Sequence, residues 1–306
     1  MLGLEYFSFV DLWSPLFLAV MLLLVAGYFV LIGPLAEWFP GSTSVRLWRR
    51  GLFVCGMIFL YLAQGGPVSL LGHLMFSFHM VSMALSYLVA VPLIMLGIPD
   101  FIWRAALRVN PLQRLSFLAR PIVAALLFNG LFSLYHIPVV HDYVMLHFAV
   151  HRSYYAVLFL TSALMWWTLI NPLPEHKMVD GLGKIGFIFL NMVLLTPACG
   201  LIIFADHPLY ATYSDPDTWA RAMGYCVAGN PAALLQAFGG PTFFGIMSPK
   251  VDQQVGGIAM KFIQEFIFAS MLAYVFYHWY KKENGQEDAE ASMPSSELEG
   301  GRLTRV

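Results

Sequence analysis

The chain has 306 residues, of which 59% are hydrophobic and 11% charged, with a formal net charge of −1. Because a soluble globular domain carries about 25% charged residues, this composition excludes a soluble globular domain. A mean hydropathy of +0.69 indicates instead a polytopic membrane protein. The sequence lacks glycine-rich nucleotide motifs and the GxSxG motif of hydrolases, and no nucleic-acid partner is expected. The three cysteines, Cys55, Cys199 and Cys226, form no CxxC pair, so neither a disulfide framework nor a zinc ribbon is predicted.

Seven segments are long and apolar enough to cross a hydrocarbon core about 30 Å thick, which takes about 20 helical residues. In chain order they are about 15–35, 51–64 with a few flanking residues, 71–96, 121–140, 153–170, 185–204 and 253–280. No charged residue falls between the second and third segments, and Gly65-Gly66-Pro67 predicts a tight turn that makes them a hairpin. A long connector, about 205–251, precedes the last segment.

The segments are predicted to form one transmembrane domain, residues 1–280. The N-terminal stretch carries Glu5 and Asp11 and no basic region, so no cleaved signal peptide is expected. Residues 281–306 are polar and rich in Glu and Ser, and the composition predicts a disordered tail.

The orientation follows from the basic residues of the loops. The loops after the first, third and fifth segments, together with Lys281 and Lys282, hold eleven Lys and Arg residues, and the opposite side holds three. Because basic residues collect in cytoplasmic loops, the N-terminus is predicted outside and the C-terminus inside. The expected fold is therefore an all-α integral membrane protein of seven transmembrane helices.

Histidines are concentrated between the fourth and fifth segments, in HIPVVHDYVMLHFAVH. Four of the nine histidines of the chain lie within these sixteen residues. His147 and His151 are four residues apart, so if the connector is helical there, both imidazoles share one face and can clamp a metal ion. Asp142 follows His141 and is a candidate acceptor for its imidazole N–H.

The third segment carries a second stripe, in which Met75, His79 and Met83 lie at i, i+4 and i+8. His73 is about 120° around the helix from His79, so both can contact one ion only if it lies between helices. Imidazole suits copper, zinc and iron, whereas a thioether favours Cu(I), so the mixture favours copper. A single histidine at a membrane interface is ordinarily a hydrogen-bonded polar residue, but clustered ionisable residues in spans indicate function. The candidate metal ligands are His73, His79, Met83, His136, His141, His147 and His151.

Other polar features of the spans favour structural interpretations. Lys261 and Glu265 are one turn apart and predict an ion pair that fixes helix packing. Cys199 is expected to be a small buried hydrophobe. In VDQQVGG, Asp252 is predicted to cap its helix, and Gly256-Gly257 to allow close helix approach.

Four stretches occur in an order typical of one family: HLMFSFHMVSM with VPLIMLGIP, LYHIPVVHDYVMLHFAVH with LMWWTLINPLP, ADHPLYATY, and SPKVDQQVGG. Across about residues 70–257 the chain resembles the CtaG-type cytochrome c oxidase assembly factors of bacteria, of the multi-span caa-oxidase type. The resemblance implies metal-site positions at His79, His136, His147 and His151, with His73 and His141 as further candidates. Many relatives read HMxxHM in the first stretch, and Met83 stands where they have a second histidine. This leaves either a softer His/Met site or no ligand at that position.

The resemblance further implies a multi-pass protein of the bacterial plasma membrane that is not itself an enzyme. Surrounded by membrane lipid, it would act as a metallochaperone in assembly of the respiratory chain. A copper donor protein on the outer side would supply Cu(I), and the catalytic subunit of a haem–copper oxidase would receive it.

Three alternatives remain open at this point. One is a haem-binding or quinol-linked redox protein with two outer histidines as axial ligands. Another is a seven-helix retinal-type receptor built on Lys261, although the third segment lacks an acidic counter-ion. The third is a copper transporter, for which Met192 and Glu265 would be steps towards the inner face.

Overall fold

In the computed structural model of the chain, the described residues are 3–109, 116–173, 175, 178–225, 227 and 230–291, with only the backbone given for 285–291. Regular structure in this part of the chain is helical, without strands. The helices are α1 Phe9–Trp13, α2 Pro15–Ile32, α3 Leu47–Gln64, α4 Pro67–Leu74, α5 Phe76–Gly97, α6 Asp100–Leu107, α7 Pro121–Tyr135, α8 Pro138–Met145, α9 Phe148–Ile170, α10 Gly181–Ile203, α11 Pro216–Met223, α12 Pro231–Phe238 and α13 Pro249–Ala291.

Within the described ranges, six helical stretches are long and apolar enough to cross a membrane: α1 with α2, α3 with α4, α5, α9, α10 and most of α13. A bent pair, α7 and α8, adds a seventh if the two count as one span. The predicted all-helical fold is therefore confirmed, with six to seven stretches long and apolar enough to span a membrane, whereas its orientation stays a prediction. The helix α13 continues through residue 280 to Ala291, and residues 292–306 of the predicted disordered tail lie outside the described part.

The fourth predicted span is broken between α7 and α8, whose axes meet at 80°. Ile137 has extended backbone angles, φ −69° and ψ 125°, and Pro138 occupies the first position of α8. A residue before proline disfavours helical geometry, and proline is well tolerated at the first helical position. The bend turns α8 and its buried His141 back towards the bundle.

The turn of the first hairpin is not at Gly65-Gly66-Pro67, where the sequence predicts it. The helix is interrupted there, but α3 and α4 together form one candidate span of 28 residues. The chain reverses at Met75, whose backbone is extended with φ −136° and ψ 133°. A Cβ on Gly72 would lie 3.2 Å from the Cα of His79, so α4 packs closely on the start of α5. His73 therefore precedes the turn and lies on a different helix from His79.

Asp252 caps α5 rather than its own helix. Its carboxylate accepts the backbone N–H groups of Phe76, at 2.6 Å, and Ser77, at 3.4 Å, and also the Ser77 hydroxyl. A carboxylate at a helix N-terminus satisfies free N–H groups and the positive end of the helix dipole. Ser248 instead accepts the Val251 N–H at the start of α13. The predicted cap is thus present, but on another helix.

Paired glycines bring α13 close to α5 and α10, as predicted. A Cβ on Gly256 would lie 3.0 Å from the Ser77 Cα, and one on Gly257 would lie 2.8 Å from a side-chain carbon of Ile203. Glycine allows such close backbone approach between membrane helices. This packing fixes the end of α5 that carries His79.

The helix α9 is attached to α5 at a π-helical turn, Leu85–Ala90. A π turn shifts the regular helical hydrogen bonding, and such turns occur often at functional sites. Here the carbonyl of Tyr87 accepts hydrogen bonds from Ser162, at 2.7 Å, and from the indole of Trp166, at 3.0 Å. These bonds hold α9, and with it His151, beside α5.

Candidate metal centre

Five histidines meet at one end of the bundle, and we call them the histidine cluster: His73 on α4, His79 on α5, His136 between α7 and α8, His141 on α8 and His151 on α9. Ring centroids are 5.3 Å apart for His79 and His141 and 6.1 Å apart for His79 and His136. His73 and His151 are 5.7 Å apart. The other four are all near enough to interact electrostatically with His79, which is therefore the centre of the cluster.

Backbone hydrogen bonds select the tautomer of two cluster members. The Nδ1 atoms of His73 and His136 lie 2.8 and 2.7 Å from the carbonyls of Ser69 and Phe132, each one helical turn earlier. In a neutral ring, Nδ1–H then donates to the carbonyl, and Nε2 carries the lone pair. This arrangement is common for histidines that bind metals through Nε2.

The remaining ring nitrogens are enclosed. His136 and His141 are fully buried, and His79 and His151 are 3% and 8% exposed. In the described part of the chain, Nε2 of each of these four residues is buried without a hydrogen-bond partner. Leaving one buried polar group unsatisfied costs about 1–3 kcal/mol. Four such atoms together are energetically unfavourable, and a bound metal ion would offset this cost.

The long connector supplies an aromatic wall that sequence reasoning missed. Tyr210 and Tyr213 lie 4.6 and 5.8 Å from the His141 ring. Their hydroxyls donate to the carbonyls of His136, at 2.8 Å, and Gly72, at 2.6 Å. Burial raises the pKa of Tyr210, so its hydroxyl stays protonated as a donor. Both tyrosines belong to the ADHPLYATY stretch, which is part of the family resemblance. The sequence alone assigned no role to either of them.

Asp142 has a different role from the predicted one. Its Oδ1 lies 3.6 Å from Nδ1 of His141, beyond ordinary hydrogen-bond distance. The carboxylate instead accepts from the Ala211 and Thr212 backbone amides, at 3.0 and 3.1 Å, and from the Thr212 hydroxyl, at 2.7 Å. Asp142 therefore anchors the turn that presents the two connector tyrosines.

His147 lies apart from the cluster. It is the N-cap residue of α9, with φ −131° and ψ 98°, and its side chain is exposed. Its Nδ1 lies 2.7 Å from the Tyr143 carbonyl, and its ring contacts that of Tyr143. The condition for the predicted HxxxH clamp, helical geometry at both histidines, fails at His147. Only His151 of the pair faces the interior.

Two buried methionines lie one helical turn from cluster histidines, and one of them was not predicted. Met83 is fully buried one turn after His79, but Met75 lies at the chain reversal, so the three-residue stripe is not one helical face. Met145, one turn after His141 on α8, is 4% exposed and was missed. Its sulfur lies 3.6 Å from the Tyr135 hydroxyl.

A small cavity of about 20 Å³, partly open to the surface, lies beside two members of the cluster. It is lined on the inner side by His73, His151 and Met145, and at the mouth by exposed Arg152 and Tyr225. Such a volume holds about one water molecule. No group of three or more His, Cys, Asp or Glu side chains in the described residues is already arranged to hold a metal ion. The site thus offers enclosed donors and an entrance rather than a preformed coordination shell.

The ion pair of α13 forms as predicted. Lys261 Nζ lies 2.6 Å from Glu265 and donates to the Thr196 hydroxyl of α10 at 2.9 Å. The lysine is thus engaged in packing α13 on α10, which disfavours the retinal-type alternative. Cys199 on α10 is 1% exposed, in agreement with the predicted buried hydrophobe.

Comparisons with known proteins place this architecture in a family. No curated protein and no solved structure matches the chain. A family model described as cytochrome c oxidase caa3 assembly factor matches residues 26–282, which include all five cluster histidines. The chain therefore belongs to the caa3-type cytochrome c oxidase assembly factors.

Proposed function

We propose that this assembly factor binds copper, as Cu(I), at the histidine cluster and delivers it to the catalytic subunit of the oxidase. The observation that carries the proposal is the set of four buried Nε2 atoms without partners, on His79, His136, His141 and His151. Copper is here the cargo of the protein.

The donor set fits this cargo. Neutral imidazole binds copper, and thioether sulfur selects Cu(I). The cluster supplies the imidazoles, and two buried methionines, Met83 and Met145, lie one helical turn after His79 and His141. With metal–nitrogen bonds of about 2.0–2.1 Å, two imidazoles on one ion have ring centroids roughly 5–6 Å apart. The His79–His141 and His79–His136 distances of 5.3 and 6.1 Å are close to this range. Binding therefore requires reorientation of rings rather than movement of helices.

The cavity beside His73 and His151 supports a route for the ion. A copper donor protein would present Cu(I) at the mouth, near Arg152 and Tyr225, and the two histidines would pass it to His79. Release to the oxidase subunit would follow by exchange of ligands.

A cellular experiment tests delivery. Cells whose own copy is deleted would express the wild type, His79→Ala or His147→Ala at matched membrane levels. We expect His79→Ala to lower oxidase activity and oxidase copper content at least tenfold, and copper added to the medium to restore part of both. His147→Ala is the matched control, because its side chain is exposed and outside the cluster. Equal oxidase copper in all three strains would contradict the proposal.

A further inference from the structure

A second cavity lies at the end of the bundle opposite the histidine cluster. It has a volume of about 480 Å³ and lies between the loop that leads into α3 and the start of α6. The helix α3 begins at this cavity and ends at Gln64, which lines the cavity beside the cluster. Eighteen helical residues span roughly 27 Å, so the two sites are separate. We call this second cavity the arginine groove.

The arginine groove is positively charged. Its lining contains Arg46, Arg49 and Arg104 but one carboxylate, Asp100. Arg49 pairs with Asp100 at 3.0 Å, and Arg104 pairs with Glu175 at 2.6 Å. Arg46 is exposed, and no carboxylate in the described ranges forms an ion pair with it. The groove thus has a guanidinium free to bind an anion.

Neutral donors lie beside that guanidinium. The hydroxyls of Thr43 and Ser44 line the same groove. Arg46 is also the N-cap residue of α3 and makes no side-chain capping hydrogen bond. The first N–H groups of this helix therefore add to the positive potential, as they do at phosphate-binding helix ends.

The rim of the groove has the character of a membrane–water interface. Trp48 lines the groove and is 55% exposed, and the neighbouring Leu47 is 82% exposed. Exposed tryptophan beside arginine at the end of a spanning helix is typical of the headgroup region. Apolar side chains there would contact acyl chains while the arginines contact a phosphate.

We propose that the arginine groove binds the phosphate headgroup of an anionic phospholipid. Basic pockets between spanning helices recognise such headgroups, and arginine forms paired hydrogen bonds with phosphate oxygens. A zwitterionic headgroup brings its own ammonium group, which the arginines would repel. This inference does not depend on copper binding.

Native mass spectrometry of the detergent-solubilised full chain tests the proposal. The protein would be titrated with phosphatidylglycerol or phosphatidylcholine, each with and without millimolar inorganic phosphate. We expect phosphatidylglycerol to bind at least tenfold more tightly, and Arg46→Gln to weaken it roughly fivefold to tenfold. Arg221→Gln, at an exposed arginine of α11, should leave the affinity unchanged. Thr43→Ala with Ser44→Ala gives a second, charge-neutral test and should weaken the same lipid.

Three outcomes would overturn the proposal. The first is equal affinity for the two lipids. The second is an equal loss in Arg46→Gln and Arg221→Gln while both variants keep wild-type circular dichroism. The third is full displacement of the lipid by inorganic phosphate, which would assign the groove to a free anion.

Discussion

At the residue scale, Asp142 shapes the site through the connector rather than through a histidine. Its carboxylate receives three hydrogen bonds from Ala211 and Thr212. The turn held in this way places Tyr210 and Tyr213 against the His141 ring. One carboxylate therefore fixes a wall of the cluster.

We expect Asp142→Ala to lower the free energy of unfolding by about 1–3 kcal/mol, because partly buried amides lose a charged acceptor. It should also weaken copper binding by loosening the tyrosine wall. Thermal unfolding in detergent and a Cu(I) titration measure the two effects. Asp217→Ala, at an exposed position of α11, is the control. If both variants behave alike, Asp142 does not have this role.

Individual histidines also show where residue spacing does not predict which side chains share a helical face. The sequence leads to His79, His136, His141 and His151 because clustered imidazoles in apolar segments are unusual. It cannot exclude His147, because four-residue spacing implies a shared face only when both residues are helical. The extended backbone of His147 at the start of α9 shows that His147 and His151 do not share a helical face.

At the element scale, close helix packing at α13 positions the site. A Cβ on Gly257 would lie 2.8 and 2.9 Å from side-chain carbons of Ile203 and Ile202. A Cβ on the neighbouring Gly256 would lie 3.0 Å from the Ser77 Cα of α5, the helix that carries His79. The two glycines thus set the distances among α5, α10 and α13.

Gly257→Leu should lower the free energy of unfolding by about 1–3 kcal/mol, because overpacking forces side chains and backbone to shift. Gly186→Leu is the matched control on α10, where nothing lies within 4 Å of an added Cβ. Thermal unfolding of both variants in the same detergent is the measurement. A loss in Gly186→Leu as large as that in Gly257→Leu would contradict close packing at α13.

Hydropathy predicts most of these elements, since a span needs only length and apolar composition. It does not predict where the first hairpin reverses. Gly65-Gly66-Pro67 has the stronger local turn signal, yet the chain reverses at Met75. The N–H groups freed there are satisfied by Asp252, about 176 positions later in the sequence. Such a cap depends on tertiary structure and has no local signature.

At the scale of the whole molecule, the two functional candidates occupy opposite ends of one bundle. The histidine cluster lies at one end, and Arg46, Arg49 and Arg104 lie at the other. The distribution of basic residues predicts that the arginine end is cytoplasmic. Copper would then arrive at the cluster from the outer side.

Reporter fusions test this orientation. Alkaline phosphatase fused after residue 291 should be inactive, because the enzyme folds only outside the cytoplasm, whereas a fluorescent protein fused there should be bright. A fusion within the connector, after Asp217, should give the reverse result. Phosphatase activity at the first position would show that the predicted orientation is wrong.

We expect the buried histidines of the cluster, and not the exposed His147, to bind copper. The most direct test of this expectation is an anaerobic Cu(I) titration of the purified full chain against a competing chelator, with the wild type, His79→Ala with His136→Ala, and His147→Ala. We expect one tight site in the wild type and in His147→Ala, and at least a hundredfold weaker binding in the double variant. Helical circular dichroism should be the same in all three. Undiminished affinity in a folded double variant would show that the histidine cluster is not the copper site.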